Sequence, residues 1–422
     1  DLVRSRGLGD VYKRQVQQLT VFEKLKKAVN EGYFEELIRK YLLENPHGCI
    51  MTLIPKKGLA AQREKELEEK LEAYRSSLSE EQLDAMVEKT KALEAYQEAG
   101  EDPKALECIP MLKRSDIKRE AAKIINEELT VDDSLFLYHD VCTNGIGYVD
   151  LMFKTDSIAP EQIPYLGLLK SVLGYVDTEH YTYGELFNEI NANTGGINCG
   201  VEVFDRADST EEFQAMFSVR GKALYTKMDF LFKMIGEILN SSKLEDTKRL
   251  YEIVASVKSR AQVNLTGAGH STAVLRAAAY SSPMAAFQDE MAGIGYYQFI
   301  EKLEKDFEQR KEETVEELCK LMKKILRPEN FMISYTGERE SLETVQKLAG
   351  AVKAGLGTEP VEKSEEKLTC TKKNEGFKTS GQVQYVAQTG NFKKKGLEYT
   401  GALEILKVIL SYDYLWMNLR VK

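Results

Sequence analysis

Gly145-Ile146-Gly147-Tyr148-Val149-Asp150-Leu151-Met152-Phe153 reads as a β-strand, with Val149, Leu151 and Phe153 on one face and Ile146, Tyr148 and Met152 on the other. Apolar side chains on both faces suit a strand covered on at least part of both. Downstream, 160–172 has the pattern of a helix, and 183–192 that of a second, closed by Thr194-Gly195-Gly196. Ile197, Cys199, Val201 and Val203 then alternate as a further strand. Working outward, Leu135 to Tyr138 is a strand upstream. Long helical patterns cover about 209–239 and 244–265, and 330–335 is a late strand. Strands interleaved with helices predict an α+β chain built as a two-layer α/β sandwich rather than a helical bundle.

Towards the N-terminus the pattern is helical. Leu25, Val29, Phe34, Leu37, Ile38 and Tyr41 keep helical spacing, and Asn45-Pro46 ends it, because a residue before proline is pushed out of the α region. Gly48 to Leu53 reads as a short strand. The stretch 60–97 is the most charged, with Leu67, Leu71, Tyr74 and Leu78 on one helix. Ser79-Glu80-Glu81-Gln82 forms a capping-box pattern before a second helix bearing Leu83, Met86, Thr90 and Leu93. Two helices meeting at a new cap predict an αα-hairpin. A connector with Pro103 and Pro110 follows. Residues 1–15 lack amphipathic period and read as a non-native segment, while Leu419-Arg420-Val421-Lys422 stops just after an apolar helix. Tyr165-x-Gly167-x-Leu169 recurs 234 residues later as Tyr399-x-Gly401-x-Leu403, and at the same offset Gly147 and Val149 fall on Gly381 and Val383. Two copies of one strand–helix domain are the simplest reading, with 338–375 as an exposed Lys/Glu-rich linker and the second copy beginning at 376.

The formal charge of −9 argues against nucleic-acid binding, which needs clustered Lys and Arg. No apolar run is long enough for a membrane span. Six cysteines without CxxC spacing read as reduced thiols in a cytoplasmic protein. The four histidines are His47, His139, His180 and His270, and none pairs with another at the i, i+4 spacing that puts two zinc ligands on one helix face. Each reads as structural or surface. Thr194-Gly195-Gly196 and Gly293-Ile294-Gly295 are too short to cradle phosphate and read as turns or caps, and 266–271 as a loop or helix break. No complete active site is visible.

Three stretches carry a family resemblance: Phe34 to His47 (FEELIRKYLLENPH), Asp140 to Tyr148 (DVCTNGIGY), and Gly174 to Ile197, which includes Tyr183-Gly184-Glu185-Leu186 and Thr194-Gly195-Gly196-Ile197. Together they resemble the associated region that follows the catalytic half in presequence proteases of the pitrilysin family of zinc peptidases. The resemblance implies pitrilysin-type domains in a clamshell of two halves joined by the hairpin at about 60–97. In that scheme 16–110 is the connector, 111–337 the third domain, 338–375 a linker and 376–422 the truncated start of the fourth. It further implies a zinc site in the missing N-terminal catalytic half, so that zinc belongs to the full-length enzyme and not to this chain. At the comparable helix Gly167 to Val172 has neither His nor Glu. The implied partners are that N-terminal half and unfolded peptide substrates. Leu419-Arg420 matches the start of the family's substrate- and oxyanion-binding motif, so the resemblance assigns that role to Arg420 alone. The chain by itself is expected to be inactive and to self-associate. A catalytically inactive scaffold pairing with another chain, or an interaction module built on the hairpin, are the readings against which the half-enzyme stands.

Overall fold

The computed structural model describes residues 19–421 except 101, 207, 365, 367 and 380–382, so residues 1–15 and Gly381 of the repeat lie outside the described residues. The chain divides into two units, 1–119 and 120–422.

In the first unit the N-terminal helix is interrupted. Helix α1 (Leu19–Ala28) gives way to a short 3-10 turn, and Gly32 takes the left-handed conformation (φ 71°) before α2 (Tyr33–Ile38). The hairpin region forms α3 (Leu59–Ser77) and α4 (Glu80–Glu98). The predicted capping box is present: Ser79 Oγ accepts from the Gln82 N–H at 3.2 Å, and Gln82 Oε1 accepts from the Ser79 N–H at 3.0 Å. Leu67, Leu71, Tyr74, Met86 and Leu93 are nevertheless exposed. No described residue of this unit is buried. Gly48 to Leu53 is not a strand. Ile50 and Leu53 stand in the open, and a strand without a ladder neighbour has nothing to satisfy its backbone.

Among the described residues the second unit holds one sheet of six strands in the order β1-β2-β6-β3-β5-β4. These are β1 (Glu127–Val131), β2 (Ser134–Asp140), β3 (Ile146–Lys154), β4 (Ile197–Asp205), β5 (Phe213–Leu224) and β6 (Phe331–Gly337). All neighbours are antiparallel except β2 and β6, which run parallel. The β1–β2 turn is Asp132-Asp133, both at positive φ (47° and 64°), the pattern whose twist matches a two-residue hairpin. The first unit also holds α5 (Pro103–Leu106). In the second, helices cover one face of the sheet: α6 (Ile163–Val172), α7 (Tyr183–Asn193), α8 (Met228–Ser241), α9 (Thr247–Gly267), α10 (Gly269–Ala279), α11 (Pro283–Ala292), α12 (Ile294–Lys305), α13 (Phe307–Ile325) and α14 (Leu342–Ala354). Phe136, Leu151, Phe153, Phe217 and Ile333 from the sheet join Leu166, Leu169, Leu231, Ile235 and Leu318 from the helices in one core. This is the two-layer α+β architecture that the interleaved pattern predicts.

Three further stretches differ from the sequence reading. The helix expected over 209–239 is strand β5 followed by α8. Ala215, Phe217, Val219 and Ala223 point inward at period two, while Phe213 and Phe217, four apart, mimic a helical face. The first part of the expected linker is α14, whose Leu342, Val345 and Ala349 are buried, because its apolar spacing outweighs its Lys and Glu content. In the expected second copy, 376–400 carries no strand among the described residues, and Val383 is exposed. Helix α15 (Gly401–Ile409) and wide turns over Leu410–Val421 follow with exposed Ile405, Leu406 and Trp416. Tyr165 sits inside α6, whereas Tyr399 precedes α15 and donates to Glu404 at 2.6 Å. Among the described residues no strand pairs with that segment.

Candidate functional site

The face of the sheet opposite the helices follows from the pleat. Register places Leu137, Ser334, Asp150, Arg220 and Asn198 in one row, and His139, Thr336, Tyr148 and Lys222 in the next. Tyr148, Arg220, Lys222 and Leu224 are exposed. Arg220 is clamped by two carboxylates, donating from Nε to Asp150 at 2.8 Å and pairing through Nη1 with Glu202 at 3.1 Å. The Asp150 hydrogen bond is the main reason the guanidinium is held even more firmly charged than usual. Asp150 Oδ1 and the Ser218 hydroxyl are buried without a hydrogen-bonding partner among the described residues. This face is the broad polar–aromatic surface that the sheet itself presents. Sequence reading missed the Asp150–Arg220–Glu202 cluster because Arg220 was placed on a helix. The alternation of Phe213 to Ala223 was the signal that would have set it opposite Asp150.

The stretches that carry the family resemblance hold the ends of elements. The loop after β2 places Asn144 and Gly145 at φ 54° and 83°, so that the N–H groups of Thr143, Asn144 and Gly145 converge on the Glu338 carboxylate at 3.2–3.3 Å. Tyr225 donates a short hydrogen bond to the same group and accepts from the Glu338 N–H at 2.7 Å. The Tyr225 phenol first, then the Cys142 and backbone donors, lower the Glu338 pKa to about 2. Gly174 takes φ 86°, Asp177 Oδ1 accepts from the Tyr183 N–H at 2.7 Å, and Thr182 with Glu185 caps α7. Gly196 takes φ 107°, and a Cβ on Gly195 would lie 2.7 Å from the Lys222 side chain, so the Thr194-Gly195-Gly196 turn needs glycines for conformation and for close approach.

The histidines are scattered. His47 is exposed beyond α2, and its N–H donates to Asn45 at 2.9 Å. His139 lies between the Ile125 carbonyl (2.7 Å) and Ser334 Oγ (3.2 Å). His180 pairs with Glu237 at 3.0 Å. The ring of His270 is 6.3 Å from that of Tyr385. Among the described residues no three His, Cys, Asp or Glu side chains are placed to hold a metal ion, and helix α6 turns Leu166, Leu168, Leu169 and Val172 into the core. The described residues therefore do not fit a catalytic zinc. Arg420 stands on the last exposed turns, its guanidinium 5.5 Å from the Trp416 ring. Gly293 and Gly295 open α12 as a cap, with Asp289 accepting from the Ile294 and Gly295 N–H groups, and α9 breaks at Ala268. All six cysteines are free, and burial raises the Cys199 thiol to about 12. No helix among the described residues is long and apolar enough to cross a membrane.

Against known proteins, the chain is 36% identical over 400 residues to Protein HypA of Clostridium perfringens, covering 95% of this chain and 41% of that protein. It is 28% identical over 396 residues to presequence protease 1, chloroplastic/mitochondrial, of Arabidopsis thaliana, covering 93% and 36%. It thus spans about two fifths of the length of these relatives. Among solved structures, a peptidase M16 inactive domain from Pseudomonas fluorescens superposes over 58% of this chain and 54% of its own, at 15% identity and a TM-score of 0.39. The family model for the associated region of peptidase M16, subfamily C, matches residues 53–303, from the hairpin through strands β1 to β5 into α12. That span includes the Asp140–Tyr148 loop and the Gly174–Ile197 caps whose geometry is set out above, and on it the chain belongs to the family of regions associated with peptidase M16, subfamily C.

Proposed function

We propose that the chain is the non-zinc-binding C-terminal half of a zinc metalloendopeptidase that degrades unfolded peptides. The observation that carries this reading is the part of the sheet face away from the helices that stays exposed around Tyr148, Arg220 and Lys222, while Met152, Met216 and Ser218 on the same face are buried. Tyr148, Lys222, Leu224 and the clamped Arg220 offer aromatic, apolar and cationic contacts to an extended chain without any one sequence-selective pocket. In the assembled protein this face would form one wall of a closed chamber, and the zinc-bearing N-terminal half the other. Selectivity would come from which peptides fit inside. The chain would work in the cytoplasm, where its free thiols stay reduced. The domain plan proposed is a connector with the hairpin over 16–110, an α/β domain that starts at 111, and the beginning of a further domain after 376. Arg420 would reach the substrate carbonyl and, as a preorganised cation, stabilise the charge that develops on its oxygen.

The test is complementation. This chain with zinc alone should not cleave an unfolded peptide. Mixed with zinc and the part of the Clostridium perfringens relative that this chain does not match, it should. Arg420→Ala should then lower kcat by roughly 10²-fold, the loss typical of one oxyanion donor. Complexes that form but never cleave would identify an inactive scaffold, and cleavage indifferent to Arg420 would remove that residue from the reaction.

A further inference from the structure

A recess lies in the helical layer, on the other side of the sheet from Tyr148, Arg220 and Lys222, and it goes beyond the peptidase reading. It is a cavity of about 390 Å³ between α6, α9, α10, α11 and α12. At about 30 Å³ per water it has room for about a dozen water-sized groups, within the range of small-molecule sites. Val257, Ala261, Leu265, Leu275 and Met291 make one side apolar. Lys170, Ser171, Arg260, Asn264, Ser271 and Thr272 make the other polar, and no Asp or Glu is among the described residues that line it.

Its floor holds an orphan. Tyr296 is only 5% exposed, and its hydroxyl makes no hydrogen bond of ordinary geometry among the described residues, with only the Ser171 side chain close enough to act on it. The neighbouring Ser171 hydroxyl donates instead to the Gly167 carbonyl at 3.4 Å. A buried hydroxyl without a partner is costly enough that native proteins seldom leave one unexplained. The two cations on the rim, Lys170 and Arg260, have no ion-pair partner among the described residues. Burial lowers the Lys170 pKa, and the Glu202 carboxylate offsets this only in part, so an anion beside it would be favoured.

We propose that this cavity binds a carboxylate with an apolar tail, the carboxylate taken by the Tyr296 hydroxyl, Lys170 and Arg260 and the tail laid along Val257, Leu265 and Leu275. Two sources share that chemistry: a short free fatty acid, and the C-terminal residues of an apolar peptide.

The experiment is calorimetric titration of the whole chain with octanoate and with N-acetyl-Leu-Leu, and with octylamine and N-acetyl-Leu-Leu-amide as charge controls. One-to-one, saturable binding of either acid is expected, at least tenfold tighter than its control. Tyr296→Phe keeps the ring and removes the donor, and Lys170→Gln removes the charge. Each should weaken the acid about tenfold. Tighter octanoate binding would assign the fatty acid, and tighter N-acetyl-Leu-Leu binding the peptide terminus. No saturable binding of either acid, equal binding of the controls, or affinities unchanged in both variants would overturn the proposal. No catalytic half is present, so the outcome is independent of the peptidase reading.

Discussion

Glu338 ties two distant segments together, since its carboxylate closes the loop after β2 from the far end of β6. Its pKa falls from 4.5 to about 2 on folding, and that of Glu375, held chiefly by Arg276 and then Tyr280, falls equally far. A carboxyl depressed on folding stabilises fully above its ordinary value, and the contribution is lost as pH falls through the folded one. The chain should therefore lose stability between pH 4.5 and 2, and Glu338→Gln should flatten that slope while leaving the share of Glu375. Urea midpoints measured across the window decide it, and parallel curves for the two proteins would sink the idea. Two glycines make a second test. A Cβ on Gly167 would lie 2.6 Å from the Met291 carbonyl, whereas nothing lies within 4 Å of one on Gly236, inside α8. Gly167→Ala should cost about 1–3 kcal/mol by overpacking, and Gly236→Ala should gain about 0.5–1 kcal/mol from the stiffer unfolded chain. Chemical denaturation of both variants reads the difference.

At the scale of elements, legibility followed the distinctness of the local signal. The Ser79 cap, helix α7 with its Thr194-Gly195-Gly196 stop, and strands β3, β4 and β6 were readable because period and punctuation agreed. Strand β1 escaped, although Asp132-Asp133 is a recognisable two-residue turn, because only Leu129 and Val131 along it are even partly covered. Strand β5 escaped because Phe213 and Phe217 satisfy both periods, and with it went Arg220 and the surface cluster. Helices α10 to α13 carry no such signal, since their boundaries are set by close approaches such as Asp289 beneath Gly293 and Gly295, which no one-dimensional pattern displays. Helices α3 and α4 provide a prediction at this scale. With no buried residue, their stability rests on local terms, so Ser79→Ala should cost about 0.5–2 kcal/mol of α4 alone. Hydrogen exchange in 80–98 should rise while the unfolding midpoint of the sheet unit stays put. A shifted global midpoint would mean that the two units unfold together.

For the whole molecule, the exposed apolar residues set behaviour in solution. Leu67, Leu71, Tyr74 and Met86 in the first unit, and Ile405, Leu406, Leu415 and Trp416 near the C-terminus, are too many to be incidental. The purified chain should self-associate, its scattering mass rising with concentration. A constant monomer mass over roughly a hundredfold range of concentration would contradict the half-enzyme picture. The sheet order has a consequence for synthesis. β6 lies between β2 and β3, yet it leaves the ribosome long after both. At about 5–20 residues per second, β2 and β3 wait roughly 10–40 s for the strand that joins them. During that time each offers an unpaired edge with Phe136, Leu151 and Phe153 uncovered, as good a template for another nascent chain as for its own β6. The gap between neighbours in space and neighbours in time makes this unit a natural client for chaperones that hold nascent chains, and makes Phe331 to Gly337 the segment whose emergence ends that dependence.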